Sequence, residues 1–326
     1  MAVKKKKTPG QKLLTAACVL LSIILVLCVA ATVWIHTLLG RINRVDPVTP
    51  TETNEKGEVV VKDPVTVNVL DEDILNILFV GQDRREGEGA QRSDSMILCT
   101  LNKEKKTLTM TSFMRDMYVE IPGKYSDRIN VAYFIGGGNL LQETIKHNFD
   151  VDVHHCVEVD VFGFIDIVDE MGGLDMELTA AEAAYLNRRG NWDYSNDRGW
   201  TLKEGVNHLT GTQTVAYCRI RDIGSDFGRT ERQRKVLTKI FEDMKNMGVV
   251  KAYALLEKVL PLVTTNMSDA DILSYAYTML PMMGNIQVVT QRIPIDGSWR
   301  DETIRGMMVL VPNLEKNKQF LNETIK

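Results

Sequence analysis

Between Leu13 and Gly40 the chain carries no Asp, Glu, Lys or Arg, and His36 is its one residue able to gain a positive charge near neutral pH. About 20 apolar residues in a helix cross a bilayer, so this run is predicted to span a membrane. Trp34 falls where an outer interfacial belt is expected. The run exceeds the short apolar core of a cleavable signal peptide, although Ala30 and Ala31 leave cleavage open as the alternative. Lys4, Lys5, Lys6, Lys7 and Lys12 precede it, and only Arg41 and Arg44 follow closely. The larger positive charge stays in the cytoplasm. The expectation is a cytoplasmic tail over 1–12, a signal-anchor helix over 13–40 and an exported remainder: a single-pass protein of the cell membrane whose C-terminal part is extracellular.

The stretch 41–73 includes "DPVTPTETNEKGEVVVKDPVTVNVLDED" from Asp46. Pro, Thr and acidic residues dominate it, so it reads as an extended extracellular stalk. Beyond it, short apolar runs suit strands at 74–81, 95–102, 107–114 and 154–161. Helical patterns lie at 136–149, 162–173, 209–218, 229–248, 250–262 and 268–283. Strands at 285–294 and 307–312 and a helix near 313–325 complete the chain. The elements intermix without a second linker or an internal repeat, which predicts one α/β domain over 74–326 with a mixed sheet and flanking helices. At 44% hydrophobic and 25% charged residues it has an ordinary globular composition. The net charge of -4 argues against nucleic acid as a partner. Cys99, Cys156 and Cys218 show no metal spacing and read as buried free thiols.

The polar motifs cluster at predicted strand ends. In "GQDRREGEGAQRSDS" (81–95), Asp83 closes one strand and Asp94 opens the next, with Arg85 and Arg92 in a Gly-rich loop between them. If the strands pair, the two carboxylates converge. Magnesium is commonly held by one or two carboxylates, with water and phosphate oxygens completing its shell. A surface loop with scattered ion pairs is the alternative reading. Arg115 and Asp116 follow the third strand at the same end, and "SDRINVAY" adds Arg128 and Asn130.

The densest cationic stretch is "RIRDIGSDFGRTERQRK" (219–235). With a helix ending near Cys218, Arg219 and Arg221 would share one side of an extended segment. On the helix predicted from 229, Arg229, Arg232 and Gln233 would share a face, while Arg234 and Lys235 point elsewhere, making Arg234 a surface control. Arginine forks and a helix N-terminus both suit phosphate oxygens. A salt-bridged helix start is the competing reading. Phosphate-loop, GxSxG and zincin spacings are absent, and no Ser/His/Asp set stands out. What remains is positioning and charge neutralisation, the main requirements of phosphoryl transfer.

Taken in order, "GQDRR", "RSDS", "MRD", "RINVAY", "VDVFGF", "RIR" and "DFGRTERQ" resemble the motifs of LytR-CpsA-Psr proteins. The resemblance is strongest over 74–245. Met114 stands where the family usually has Pro, Ser95 where it has Thr, and Arg128 where it has Lys. The resemblance implies transfer of a glycopolymer phosphate from a polyprenyl-pyrophosphate carrier to an N-acetylmuramic acid hydroxyl of peptidoglycan, at the outer membrane face. It implies Mg²⁺, with Mn²⁺ as an alternative, on Asp83 and Asp94. Arg85, Arg92, Arg115, Arg128, Arg219, Arg221, Arg229 and Gln233 would bind the substrate. Arg115, Arg219, Arg221 and Asp226 would be catalytic, with Asp116 and Asp226 each either a base or an orienting partner for arginine. A lipid cavity is implied in the core, where 236–241 and 253–263 are equally compatible with plain packing. A pyrophosphate hydrolase and a non-catalytic lipid-binding regulator are the competing functions.

Overall fold

A computed structural model describes residues 32–45, 51–53, 59–61, 73–82, 93–188 and 199–325. The chain divides into two units, Met1–Arg41 and Ile42–Lys326. Most of the predicted membrane span, like the cytoplasmic tail, lies outside the described residues. The described part of the first unit is a helix, α1, over 32–39. No helix among the described residues is long and apolar enough to cross a membrane.

The second unit is built on a seven-stranded mixed sheet. In chain order its strands are β1 (Asn43–Arg44), β4 (Ile74–Gln82), β5 (Ser93–Asn102), β6 (Thr107–Phe113), β9 (His155–Asp160), β12 (Val263–Thr265) and β13 (Gln287–Ile293). Their spatial order is β1-β12-β9-β4-β5-β6-β13. β4, β5 and β6 form the antiparallel meander predicted from their short turn, while β9 joins β4 and β13 joins β6 in parallel. Asn43 and Arg44, assigned to the stalk from sequence, instead form the edge strand beside β12. Within the stalk, β2 (Thr51–Thr53) pairs with β3 (Val59–Val61). Small two-stranded pairs β7 (Tyr118–Val119)–β8 (Asp127–Arg128), β10 (Leu174–Leu178)–β11 (Gly205–Leu209) and β14 (Trp299–Ile304)–β15 (Met307–Pro312) surround the main sheet.

Both faces of the sheet are covered. On one face α2 (Ile129–Phe149) and α9 (Leu314–Ile325) bury Leu78, Val80, Met96, Leu98 and Phe113. Phe113 meets Phe149 edge-on at 5.3 Å, a favourable aromatic geometry. α2 begins seven residues earlier than the glycine run suggested and breaks at Gly136 and Gly137, whose backbone leaves the helical region. Gly138 then passes so close to β9 that a Cβ would stand 2.6 Å from the Glu158 carboxylate.

The opposite face buries Ile97, Cys99, Leu108 and Met110 beneath α6 (Ser225–Lys245) and α8 (Asp269–Met279), which α7 (Val249–Val259) separates along the chain. A satellite core joins α3 (Val161–Met171), α4 (Ala180–Leu186), α5 (Gly211–Arg219) and β10 around Tyr217 and Ile220. Cys99 and Cys156 are buried and Cys218 half-buried, all as free thiols. Burial pushes the Cys99 and Cys218 thiols up to about 12, which keeps them protonated.

Candidate functional site

The antiparallel meander decides where the site lies. β4 ends where β5 begins, with Gln82 paired to Ser93, and β6 runs back to finish at the same end. Asp83, Arg85 and Arg92 fall in the connection between β4 and β5 and lie outside the described residues. Asp94, the second residue of β5, faces Arg115 in the turn after β6, and Arg115 Nη1 donates to Asp94 Oδ1 at 2.8 Å. Pairing of the strands thus brings together two residues 21 positions apart.

Four further predicted residues join this pair. Arg115 Nε stands 3.6 Å from Asp116 Oδ2 and 3.6 Å from Asp226 Oδ2, too far for good hydrogen bonds. Asp226 Oδ2 also accepts from Arg229 Nη2 at 3.0 Å, and Asp116 Oδ1 accepts from Arg128 Nη1 at 3.2 Å. Asp94, Asp116 and Asp226 therefore alternate with Arg115, Arg128 and Arg229. The Nε groups of all three arginines are buried without a hydrogen-bond partner among the described residues, as are Ser93 Oγ and Asn130 Oδ1. Buried polar atoms in native proteins nearly always find a partner, so a concentration of partnerless donors marks a place for an acceptor.

The network's electrostatics differ from one arginine to the next. Burial works against the charge on Arg115, but Asp226, Asp116 and Asp94 outweigh it and hold its pKa above the ordinary value. Arg229 is pushed the other way: burial lowers its pKa, Asp226 opposes this, and Arg115 and Arg221 lower it further. A buried guanidinium crowded by two others is stabilised by any added anion.

Arg219 and Arg221 adjoin this network differently from the predicted extended fork. α5 continues through Arg219, and Ile220 caps it while fully buried in the satellite core. Arg219 is half-buried and Arg221 exposed, close enough to act on Arg229. The motif straddles a helix end because Ile220 must reach the core.

α6 also starts earlier than predicted, at Ser225, with Asp226 in its first turn. Arg229 lies a full turn inside, and the helix N-terminus already has a carboxylate. Gln233 follows one turn on, half-buried.

Arg232 leaves the predicted shared face. Its Nε lies 3.2 Å from Glu182 Oε1, its Nη2 donates to the Ile223 carbonyl, and its guanidinium lies over Tyr217. It fixes the turn that carries Arg221. Gly228 permits this contact, since a Cβ there would stand 2.8 Å from the Ile223 oxygen. Glu182 was not singled out from sequence, yet "TAAE" (179–182) carries the capping-box pattern that the structure displays. Arg234, expected on the surface, is 8% exposed.

Of the two carboxylates expected to hold a metal, Asp94 is the described one; its side chain is 36% exposed and bonded to one arginine. No cluster of three metal-ligating residues occurs among the described residues. One half-open aspartate beside partnerless N–H donors suits a magnesium ion completed by phosphate oxygens better than an ion caged by protein. Chemically, the site can neutralise and orient a multiply charged phosphate.

Comparison with known proteins agrees with this geometry. The curated relatives include the polyisoprenyl-teichoic acid–peptidoglycan teichoic acid transferase TagU of Halalkalibacterium halodurans, 32% identical over 213 residues, covering 64% of this chain and 66% of that protein. They also include the regulatory protein MsrR of Staphylococcus aureus, 30% identical over 252 residues, covering 76% of this chain and 73% of that protein. The chain thus spans about two thirds of the length of the first of these relatives. A solved structure of TagT with bound octaprenyl pyrophosphate lipid shares the fold at a TM-score of 0.61 and 22% identity, covering 86% of this chain and 98% of that one. The LytR_cpsA_psr family model matches residues 44–326, which takes in the sheet apart from Asn43 and every described residue of the arginine–aspartate network, and the chain belongs to that family.

Proposed function

We propose that the chain transfers a glycopolymer phosphate from a polyprenyl-pyrophosphate carrier to a hydroxyl of N-acetylmuramic acid in peptidoglycan. The observation that carries this reading is the cluster of Arg115, Arg128 and Arg229 at the strand ends, each with a buried Nε that has no hydrogen-bond partner among the described residues. The names of the transferase relatives and of the lipid-bound TagT structure support it. In the reaction the acceptor oxygen bonds to the phosphorus that carries the glycan. The bond from that phosphorus to the bridging oxygen breaks, and polyprenyl phosphate leaves.

Arg115 and Arg229 bind the pyrophosphate oxygens from within, Arg219 binds them from the last residue of α5, and Arg221 binds them from the turn after it. Arg85, Arg92, Arg128 and Gln233 complete the substrate contacts. Asp226 takes the hydroxyl proton. Its ion pairs with Arg115 and Arg229 both run through Oδ2, whereas Asp116 engages an arginine with each oxygen. Asp116 is accordingly the positioning carboxylate. Asp83 and Asp94 would hold Mg²⁺ or Mn²⁺, which supplies charge neutralisation on the phosphate oxygens when bound. The apolar run before residue 41 anchors the chain in the cell membrane, leaving the domain outside.

The test uses full-length protein in proteoliposomes with Mg²⁺, a labelled polyprenyl-pyrophosphate glycan and peptidoglycan. Label should move to the peptidoglycan, and less so with Asp94→Ala. Release of free glycan phosphate irrespective of acceptor would make the chain a hydrolase. Lipid binding without either product would leave a regulator, the reading that the name MsrR favours. For the topology, protease added to intact spheroplasts should digest the domain; protection of it would reverse the orientation.

A further inference from the structure

A second group of partnerless polar atoms lies outside the network just described. α6 runs over β6, with Thr230 Oγ1 3.5 Å from Met114 Sδ and Thr238 Oγ1 3.6 Å from Met110 Sδ. Arg234 is midway between those threonines, one helical turn from each, and Ser112 is midway between the methionines, so the register sets their backbone positions opposite each other. Among the described residues Arg234 Nε and Nη1 are buried without a hydrogen-bond partner, and so is Ser112 Oγ. Arg234 is 8% exposed and Ser112 2%. Neither satisfies the other, although helix and strand place them face to face.

Arg292 on β13 is the register partner of Ser112. Its guanidinium lies 4.5 Å over the Phe227 ring and 5.5 Å from that of Trp299. It donates to the Pro294 carbonyl and pairs with Asp296, whose side chain is 87% exposed. The Arg292 side chain is 20% exposed, so the group opens toward solvent on that side. Burial depresses the Arg234 pKa, Glu231, itself paired with Lys235, opposes this, and Arg292 lowers it further. Two guanidiniums and a hydroxyl thus converge where no carboxylate contacts Arg234 among the described residues. A buried charge in that state is costly unless something compensates it. Arginine forks favour phosphate and carboxylate oxygens.

We propose that Ser112, Arg234 and Arg292 form a second oxyanion subsite, separate from the strand-end network, which takes a phosphate or carboxylate group of a glycan. That the oxyanion belongs to a glycan rests on the proposed transferase reading; the subsite itself does not. Phe227 adjoins Asp226 at the start of α6, so the subsite lies beside the strand-end network. A phosphate from the donor polymer's repeat and the lactyl carboxylate of the acceptor sugar offer the same chemistry.

Crystals of the protein soaked in selenate test the subsite directly. An anomalous peak within hydrogen-bond reach of Arg234 and Ser112 is expected, and a lone water there, or nothing, overturns it. Displacement of selenate by glycerol 3-phosphate assigns the subsite to the donor polymer, and displacement by N-acetylmuramic acid assigns it to the acceptor. Failure of both to displace it would sink the glycan assignment. In solution, Ser112→Ala and Arg234→Met should each raise the KM for one glycan substrate about tenfold, the loss of roughly one charge-assisted hydrogen bond. Direct binding of polyprenyl pyrophosphate should stay unchanged. Arg234→Met fills a similar volume without charge, so a folded variant with wild-type kinetics and no selenate difference would show a purely structural arginine. Loss of transfer in the wild type with the selenate peak retained would defeat the transferase reading and leave the subsite standing.

Discussion

Arg229 and Arg232 stand three residues apart on α6, and both are almost fully buried, at 2% and 3% exposure. Their surroundings are opposite. Arg232 sits in a socket of carboxylate, carbonyl and ring, closed by Glu182, Ile223 and Tyr217. Arg229 has one carboxylate, Asp226, which it shares with Arg115. The first arrangement surrounds the guanidinium with partners from three segments and holds a turn in place, although Arg232 Nε, like Arg229 Nε, lacks a well-aligned hydrogen bond among the described residues. The second is short of acceptors and sits at the end of the sheet where strands and loops converge. Neither burial nor an unmet Nε, which both have, tells a structural arginine from a binding one; the number of partners held by the rest of the guanidinium does.

The largest effect on the fold should come from opening the socket. Arg232→Ala leaves Glu182 buried and unpaired, which costs about 3–5 kcal/mol and should lower the melting temperature by on the order of 10 °C. The double variant Arg232→Met/Glu182→Gln keeps the capping acceptor and removes both charges, and it should recover much of that loss. If Arg232→Ala melts like the wild type, the socket is not structural.

On the binding side the expected change is in rate. Arg221→Lys keeps the charge and loses the fork, so transfer should fall about 10²-fold or more with an unchanged melting temperature. Arg234 cannot serve as the silent control its sequence position suggested, because it is buried. Lys235, which is exposed and paired with Glu231 at 3.0 Å, takes that part, and Lys235→Arg should leave transfer within twofold, on the order of the few tenths of a kcal/mol of an exposed helix pair. Equal losses in Arg221→Lys and Lys235→Arg would remove the distinction between the regions.

A smaller effect links the two. Gly228→Ala puts a methyl 2.8 Å from the Ile223 oxygen and should cost about 1–3 kcal/mol while displacing the turn that bears Arg221. Gly248→Ala, with nothing within 4 Å of its Cβ, is the matching control. Similar stability in both variants would mean that the close approach is not needed.

The smallest effect tests the same contrast at a histidine. His155 lies 3.9 Å from Asp271 and edge-on to Tyr275, with Nε2 lacking a hydrogen bond. Burial lowers its pKa, against the opposing pull of Asp271. The unfolded chain therefore binds the proton more readily, beginning near pH 6.5. Its stability contribution is whole above that pH and is lost as pH falls toward the lower folded pKa. His155→Gln should flatten the melting temperature between pH 7 and pH 5. An unaltered slope would place the titration elsewhere.

Much of this was legible in the sequence. Apolar runs with short turns located β4, β5 and β6, and the pairing of the first two explains why Asp94 and Arg115 meet. The pattern of charged motifs identified six residues that the structure joins: Asp94, Arg115, Asp116, Arg128, Asp226 and Arg229. The helix starts were misplaced where polar residues open a helix. Ser225 and Asp226 read as a turn, although both belong to the first turn of α6. The hairpin β14–β15 was half-missed because Asp301 and Glu302 break its apolar pattern. The "TAAE" cap was readable and passed over.

The sequence by itself determined the strand order of the meander, the end of the sheet where charge collects, and the supply of arginines. These follow from local periodicity and from residue chemistry, which act over a few positions. Only the tertiary structure decided which arginine meets which carboxylate. Helical spacing put Arg229, Arg232 and Gln233 on one face, but Glu182 and Ile223, from two other segments, draw Arg232 away. Helical spacing likewise turned Arg234 toward solvent, whereas the fold buries it. A long, flexible side chain takes its direction from partners that are distant along the chain, and no local pattern records where those partners will be.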